Sequence, residues 1–439
     1  MTEKGNQVPN ASDSARFVRD AERSLMGIVM LMSLTAGFSL SLGKSGKLVG
    51  PEVAYCFASS VPFALAHLLF AAGRFEGDEV LLPLAGAAVV MGYPAVYRLR
   101  PDLGVRQLAF IWLGVAIMIP LVVLQSRRKL EGMGHLALGG SIALLVLTLV
   151  AGEERGGARS WLFVGDMGFQ PSEVAKIACI LAGADGLSKL FTADPGTKAR
   201  ARASEIWGCA EARRIILMWG AVMLLTVAQR DVGTAMVIYI SCVAMAYAAT
   251  GNRVMALVSA GIGACAVIVA GQVFPHIGVR FSSWLNPWAD ATGSGYQMAQ
   301  SFYALASGGI FGRGYGCGSP WLIPAAVTDM LFSATGEEIG LCGTLGLIAI
   351  YFLLVGHGYS CARRASSRYC ALAAVGAANI IAVQTFVIIG GNLGVLPLTG
   401  VTLPLASYGG TSMVTSLAIV GILLGSTRRP LAASGGGPN

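Results

Sequence analysis

Long apolar runs separated by short polar breaks fill the chain from residue 25 onward. Twelve such runs start near Leu25, Val53, Val80, Leu108, Leu136, Ser172, Arg214, Val232, Val254, Leu331, Ala371 and Thr402. A helix rises about 1.5 Å per residue, so about 20 apolar residues cross the roughly 30 Å of hydrocarbon in a bilayer. The pattern predicts an all-α polytopic membrane protein with about twelve transmembrane helices. The runs at Leu136 and Ser172 are the weakest, which leaves ten or eleven spans as an alternative.

The stretch between the ninth and tenth runs has a different character. Residues 274–330 are rich in Gly, Pro, Trp and polar side chains. Unpaired backbone groups in lipid cost several kcal/mol each, so irregular backbone is confined to water or to a polar cavity. We therefore predict a large extracytoplasmic loop at 275–330, before the tenth span, and expect the chemistry of the protein there.

Composition and charge agree with a membrane protein. Hydrophobic residues make up 55% of the 439 residues and charged residues only 12%, far from a soluble globular domain. With the N-terminus inside, about two-thirds of the 31 Lys and Arg residues fall on the inner side, as the positive-inside rule expects. We predict cytoplasmic tails at 1–24 and 426–439 around a transmembrane domain at 25–425. The net charge of +8 then reflects topology and contact with anionic lipid, not nucleic-acid binding.

Cysteine and histidine patterns give no sign of a metal site. The nine cysteines form no C-x-x-C pair, and the four histidines form no i, i+4 pair, so neither a disulfide framework nor a zinc site is predicted. The glycine-rich residues 312–318 lack the preceding strand and following helix of a nucleotide-binding loop. They predict a flexible outer loop instead.

Two charged residues fall about one helical turn inside the predicted outer boundary. Pro171 and Ser172 are typical of a helix start, as a first-turn proline and an N-cap. Glu173 and Lys176 then lie three residues apart on one helix face. Charged residues at this depth must face protein or water, so they are functional candidates. The alternative is an ion pair that only fixes helix packing.

Further candidates stand where polar segments enter spans. Asp231 precedes the eighth run, where the structural alternative of an N-cap is favoured. Asp329 stands where the loop enters the tenth span and could reach a substrate with its head in water and its tail in lipid, such as a lipid-linked sugar; the alternative is again an N-cap. Gly409 and Gly410, shortly after Ser407, indicate a broken helix or a close backbone approach.

Ordered motifs run through residues 156–424. They are GARSW with QPSEVAK, QRDVGTA, NPWAD followed by GSGYQ, GGIFGRGYG, IPAAVTD with GEEIG, and LPLTGVTLPLASYGGTS. In this order they resemble the SEDS family (shape, elongation, division and sporulation), whose members include RodA and FtsW. The two spans beyond the usual ten are similar to those of longer RodA-type members from actinobacteria.

The resemblance implies a peptidoglycan glycosyltransferase in the bacterial cytoplasmic membrane. Such a protein polymerises lipid II at the outer face and releases undecaprenyl pyrophosphate, for cell elongation or division. Its partners are a class B penicillin-binding protein, expected at residues 331–394, and other proteins of the elongation or division complex.

The resemblance also implies that Asp329 is the catalytic residue. Members commonly have His-Thr-Asp-Phe where this chain has Val327, Thr328, Asp329 and Met330, so no role for that histidine carries over. The predicted lipid II site comprises Arg159, Glu173, Lys176, Asp231, Arg280, Tyr296, Gln297, Glu337, Ser407, Gly409 and Gly410.

Joining an α-linked pyrophosphate donor through a β-1,4 bond inverts the anomeric carbon, which needs one base and a stabilised leaving group. Asp329 would take the proton of the acceptor 4-hydroxyl, and Arg159, Arg280 or Lys176 would hold the pyrophosphate charge. No cofactor is evident. A divalent cation, Mg²⁺ or Mn²⁺, could share that charge, but no ligand cluster in the sequence demonstrates one.

A flippase for lipid II or another polyprenyl-linked sugar is the alternative function. Twelve spans, a buried Glu173–Lys176 pair and glycines at a broken helix would also suit a transporter. The large outer loop with the best-placed carboxylate, and the lack of a repeat between the two halves, favour the polymerase. A scaffold for a transpeptidase is a third alternative.

Overall fold

The computed structural model describes residues 11–73, 75–155, 157–165, 167–189 and 210–427. The predicted tails at 1–24 and 426–439 lie partly outside the described residues. The helices are α1 (Ala11–Ser45), α2 (Pro51–Ala72), α3 (Leu81–Leu99), α4 (Pro101–Ser126), α5 (Gly134–Ala151), α6 (Pro171–Lys189), α7 (Ala210–Ala228), α8 (Val232–Thr250), α9 (Arg253–Val273), α10 (Pro275–Leu285), α11 (Tyr296–Gly308), α12 (Leu331–Arg363), α13 (Arg368–Asn392) and α14 (Gly410–Ser426).

Each of the twelve apolar runs contains a helix, although the last run is irregular from Thr402 to Gly409 before α14 begins. Within the described residues, nine helices are long and apolar enough to cross a membrane: α1 from Asp20 onward, α2, α3, α4, α5, α8, α9, α12 and α13. The runs near Ser172, Arg214 and Thr402 form α6, α7 and α14. Helix α6 carries four charged residues, Glu173, Lys176, Asp185 and Lys189, and α14 has only 17 residues. The prediction of an all-α polytopic membrane protein is confirmed; of the twelve predicted transmembrane helices, nine meet these limits of length and apolarity among the described residues, and the other three are α6, α7 and α14.

Connections between the long helices gather at two ends of the bundle. One end, which we call the loop end, carries residues 153–170, 274–330 and 393–409. Ser407 Oγ joins two of these segments by donating to Thr328 O at 2.6 Å, and Arg159 N donates to Gln229 O, in the turn between α7 and α8, at 2.9 Å. At the opposite end, Asp78 N lies 3.3 Å from Thr427 Oγ1.

A small antiparallel sheet at the loop end accompanies the helices. Its strands are β1 (Glu153–Arg155), β2 (Ala158–Val164) and β3 (Met167–Phe169), in the order β1-β2-β3. Strands β2 and β3 pair with Leu162 opposite Phe169. Hairpin pairing satisfies the main-chain groups of a segment too short and too polar for a helix.

The 274–330 segment is more ordered than its composition predicts. It contains α10, α11 and two short 3₁₀ turns at Pro287–Asp290 and Pro320–Leu322. Residues 312–318 form the predicted loop, and two of its amides are bonded to α12: Arg313 N and Gly314 N donate to Glu337 O and Glu338 O, at 3.0 and 2.8 Å. These carbonyls are available because α12 breaks at Gly340, which has φ +66° and ψ −170°.

Helices differ strongly in how far they are buried. In α3 and α13 about four-fifths of the apolar stretch is buried inside the bundle, whereas none of the α9 stretch is. Buried helices of this kind are apolar on every face. Helices α3, α13 and α14 therefore form the centre of the bundle, and α9 lies at its edge.

Candidate active site

A cavity of about 380 Å³ lies at the loop end. It is bounded by α10, by the start of α11, by Asp329 and by residues 398–400. The lining residues are His276, Val279, Arg280, Ser283, Ser294, Gln297, Met298, Asp329, Leu398 and Gly400. The size is typical of small-molecule sites, and so is the mixture of apolar walls with a few converging polar groups.

Asp329 provides the only carboxylate among the described residues that line this cavity. It is half-buried and stands two residues before α12. The N-cap of α12 is Met330, without a side-chain hydrogen bond, so the structure does not make Asp329 the cap. Burial raises the pKa of Asp329, while the Arg280 charge and a hydrogen bond with Thr328 act in the lowering direction; the balance lies above the usual range. A carboxylate in this state is a candidate general base.

Helix α10 lines the cavity with one face. His276, Val279, Arg280 and Ser283 follow the i, i+3, i+4, i+7 spacing of a helical stripe, and all four line the cavity. Burial and the charge of Arg280 lower the pKa of His276, which favours its neutral form. Gly400, at φ +75°, leaves room for the Arg280 guanidinium: a Cβ there would lie 3.1 Å from Nη2.

The predicted residues Ser407, Gly409 and Gly410 do not line the cavity but pack around it. Ser407 Oγ donates to Thr328 O, directly before Asp329. Gly409 N lies 3.4 Å from Gln107 Oε1, and a Cβ on Gly410 would lie 2.6 Å from the Phe110 ring. The close backbone approach expected of this glycine pair is therefore present.

Glu173 and Lys176 form the ion pair that their spacing predicts, away from the cavity lining. Lys176 Nζ lies 2.7 Å from Glu173 Oε2, and their side chains are 1% and 3% exposed. Lys176 also donates to Gln384 Oε1 at 2.8 Å, and Thr415 donates to Glu173 at 2.8 Å. The structure does not bring Lys176 together with Asp329, and these contacts fit the packing alternative.

Arg159 belongs to strand β2 and Asp231 lies beside the small sheet; neither residue lines the cavity. Asp231 caps α8, because its Oδ1 accepts from Thr234 N at 3.1 Å. Its other oxygen accepts from Gln170 and from Ser172, at 3.0 and 3.2 Å. Ser172 is thus a partner of Asp231 and lies inside the first turn of α6, not at its N-cap. Arg159 is exposed, and its Nη1 lies 3.3 Å from Leu149 O.

The remaining predicted residues are divided between the cavity and the 310–322 segment. Gln297 lines the cavity, whereas the Tyr296 hydroxyl donates to Leu322 O at 3.3 Å. Glu337 is buried and accepts from Ser319 N at 2.8 Å. Sequence reasoning missed His276, Ser283 and Ser294; the regular spacing of His276 and Ser283 around Arg280 was the available signal for the first two.

Metal ligands do not cluster in the described part of the chain. No group of three or more His, Cys, Asp or Glu side chains there could hold a metal ion. The eight described cysteines are free thiols, and Cys209 lies outside the described residues.

The chain is similar to known proteins over most of its length. The model of the FtsW/RodA/SpoVE family, described as a cell cycle protein, matches residues 82–429; α1 and α2 precede the match. The peptidoglycan glycosyltransferase RodA of Mycobacterium tuberculosis is 29% identical over 435 residues, covering 94% of this chain and 92% of that protein. The probable peptidoglycan glycosyltransferase FtsW of Coxiella burnetii is 33% identical, covering 78% of this chain and 91% of that protein.

Two solved structures share the fold. One shows the structural coordination of polymerization and crosslinking by a peptidoglycan synthase complex; its chain is 31% identical, with a TM-score of 0.66, over 79% of this chain and 96% of that one. The other is the rod shape determining protein RodA of Thermus thermophilus, 29% identical with a TM-score of 0.57, over 80% of this chain and 96% of that one.

Proposed function

This chain belongs to the FtsW/RodA/SpoVE family, and we propose that it is a peptidoglycan glycosyltransferase that polymerises lipid II into β-1,4-linked glycan. Relatives named for glycosyltransferase activity cover most of its length. The observation that carries the proposal is the loop-end cavity, whose lining combines the carboxylate of Asp329 with the guanidinium of Arg280.

The reaction is a direct displacement with inversion. The Asp329 carboxylate accepts the proton of the acceptor 4-hydroxyl, and that oxygen forms the new bond to the anomeric carbon of the donor. The bond from that carbon to the pyrophosphate oxygen breaks, and its electron pair leaves with undecaprenyl pyrophosphate. Arg280 stabilises the developing negative charge. The raised pKa of Asp329 makes it a stronger base than an exposed aspartate.

The remaining polar lining suits a sugar. Ser283, Ser294 and Gln297 supply hydroxyl and amide groups on the cavity wall, and these can exchange hydrogen bonds with saccharide hydroxyl and acetamido groups. Glu173, Lys176, Asp231 and Arg159 would then support the site from a distance. A divalent cation that shares the pyrophosphate charge stays a prediction; comparing rates in EDTA and in added Mg²⁺ or Mn²⁺ tests it.

The location that goes with this activity is the bacterial cytoplasmic membrane. The loop end would face outward, where lipid II is polymerised, and both termini would lie in the cytoplasm. The excess of Lys and Arg on the predicted inner side supports this orientation.

The partner in this proposal is a class B penicillin-binding protein, with other elongation or division proteins. A similar chain belongs to a solved peptidoglycan synthase complex. Exposed large apolar side chains on α12 and α13, including Leu341, Phe352 and Phe386, are available for contact with such a partner within the membrane. Coverage of 94% by a relative named RodA favours the elongation role.

The test is polymer formation by the purified chain. Labelled lipid II is incubated with the protein, with and without a cognate class B penicillin-binding protein whose own transpeptidase is blocked, and glycan strands are separated on a gel. We expect strands in the complex. Lipid II translocation in proteoliposomes with no polymer under any condition would contradict the proposal and favour the flippase alternative.

A further inference from the structure

Three consecutive main-chain carbonyls, those of residues 327–329, accept hydrogen bonds from other segments of the chain. Val327 O accepts from Tyr408 N at 2.8 Å, and Thr328 O accepts from Ser407 Oγ at 2.6 Å. Asp329 O accepts from Asn392 Nδ2 at 2.8 Å. When the peptides on both sides of a residue are fixed, the direction of its Cα–Cβ bond is fixed too, so the side chain starts from a defined point.

Asn392 is the member of this group whose side chain bonds to Asp329 itself. It is the last residue of α13 and is fully buried. Its Nδ2 faces two carbonyls, Asp329 O and Ile388 O, at 2.8 and 2.9 Å. Its Oδ1 faces the amide and the hydroxyl of Ser333, at 3.2 and 2.9 Å. Because donors and acceptors are separated in this way, only one orientation of the amide fits.

Two buried hydroxyls complete the support for Asn392. Ser301 of α11 donates to the main-chain carbonyl of Asn392 at 2.8 Å, and its oxygen lies 2.6 Å from Ser333 Oγ of α12. Ser301 and Ser333 are both fully buried. Asn392, at the end of α13, is therefore hydrogen-bonded to α11 and α12 and lies beside Asp329 of the cavity lining.

We propose that Asn392 is a positioning residue for Asp329: its amide fixes the Asp329 main chain so that the carboxylate points at the acceptor hydroxyl. This inference rests on the proposed function. Asn392 does not line the cavity, so it acts through Asp329 and not on the substrate. Displacing a reacting group by about 1 Å can lower a rate about 100-fold.

The experiment measures polymerisation of labelled lipid II by the full chain with its class B partner. In Asn392→Ala we expect kcat to fall about 10- to 100-fold, with KM for lipid II within about threefold of the parent because the cavity lining is unchanged. In an Asp329→Asn background, the same change should cause no further loss, because the base that it positions is already absent.

The control is Asn379→Ala, on the same helix and about 20 Å away at 1.5 Å per residue. Asn379 is also buried and accepts a hydrogen bond from Tyr359. We expect a comparable drop in melting temperature and an unchanged kcat. If Asn392→Ala does not fold, Ser333→Ala replaces it; it leaves the Asn392 donor in place and should lower kcat about 2- to 10-fold.

An unchanged kcat in a folded Asn392→Ala protein, or equal losses of kcat in Asn392→Ala and Asn379→Ala, would overturn the positioning role. A further loss in the Asp329→Asn background would do the same. Failure of the parent complex to polymerise lipid II would instead overturn the proposed function, and this inference with it.

Discussion

Burial and a nearby positive charge act on the pKa of Asp329 in opposite directions. Burial raises its pKa, and the positive charge of Arg280 counteracts that rise. Because a base must be unprotonated to accept a proton, polymerisation should be lost as the pH falls through the pKa of Asp329. The acid limb of the rate profile should therefore lie above the usual range of an aspartate.

Removing the charge of Arg280 should move that acid limb to higher pH. In Arg280→Met, burial is no longer opposed, so the pKa of Asp329 rises and the carboxylate is protonated over a wider pH range. The plateau rate should also fall, because the pyrophosphate loses its cation. Polymerisation rates measured against pH check this, with Arg280→Lys as the charge-retaining control. An acid limb at the same pH in Arg280→Met would refute the coupling.

The Glu173–Lys176 pair should contribute to stability more than to binding. In Lys176→Met, Glu173 keeps its hydrogen bond from Thr415 but loses its buried counter-ion. Such a loss typically lowers the free energy of unfolding by about 3–5 kcal/mol. The double change Glu173→Gln with Lys176→Met should recover most of the yield and the polymerisation. Thermal unfolding in detergent and lipid II binding measure both effects. A stable double variant that no longer binds lipid II would support the pyrophosphate role instead.

At the scale of elements, local sequence signals predicted where a helix begins, which residue caps a helix and which side chains meet on one helix face. Pro171 marked the start of α6, Asp231 marked the cap of α8, and the three-residue spacing of Glu173 and Lys176 predicted their contact. The further partners of that pair could not be predicted, because Gln384 and Thr415 come from the distant helices α13 and α14. The short helices within residues 274–330 could not be predicted either, because polar composition alone does not distinguish short helices from an irregular loop.

The break in α12 should depend on glycine at position 340. Its φ of +66° with ψ of −170° is a conformation almost confined to glycine, and a Cβ there would collide with Gly312 N. Gly340→Ala should therefore destabilise by about 1–3 kcal/mol or more. Gly346→Ala, on the same helix with open space around its Cβ position, should stabilise by about 0.5–1 kcal/mol. Equal melting temperatures would contradict this account.

At the scale of the whole molecule, the helices that precede the family match are part of the same body. The family match begins at residue 82, yet a Cβ on Gly43, near the end of α1, would meet Tyr315 and Gly316. The apolar pattern predicted α1 and α2 as spans. The contact of α1 with the 312–318 segment could not be predicted, because the sequence around Gly43 carries no signal for a contact with a segment so far along the chain.

The orientation of the bundle can be measured with a single thiol. Cys317 is exposed at the loop end, and Ser366 is exposed at the opposite end. In chains with every other cysteine replaced, a membrane-impermeant maleimide should label Cys317 on intact cells. A Ser366→Cys variant that also lacks Cys317 should react only after permeabilisation. The reverse pattern would place the cavity in the cytoplasm and exclude polymerisation at the outer face.

The most direct measurement of the central claim is the polymerisation rate of Asp329→Asn with its class B partner. The amide cannot accept the acceptor proton, so we expect a loss of about 10²- to 10⁴-fold with lipid II binding retained. Asp290→Asn is the matched control, because Asp290 belongs to the same segment, is exposed and does not line the cavity. Its side chain accepts from Ser294 N, and because the amide oxygen of asparagine can accept the same hydrogen bond, this variant should keep the parental rate. A folded Asp329→Asn protein that polymerises lipid II at a rate near that of Asp290→Asn would contradict the assignment of Asp329 as the base.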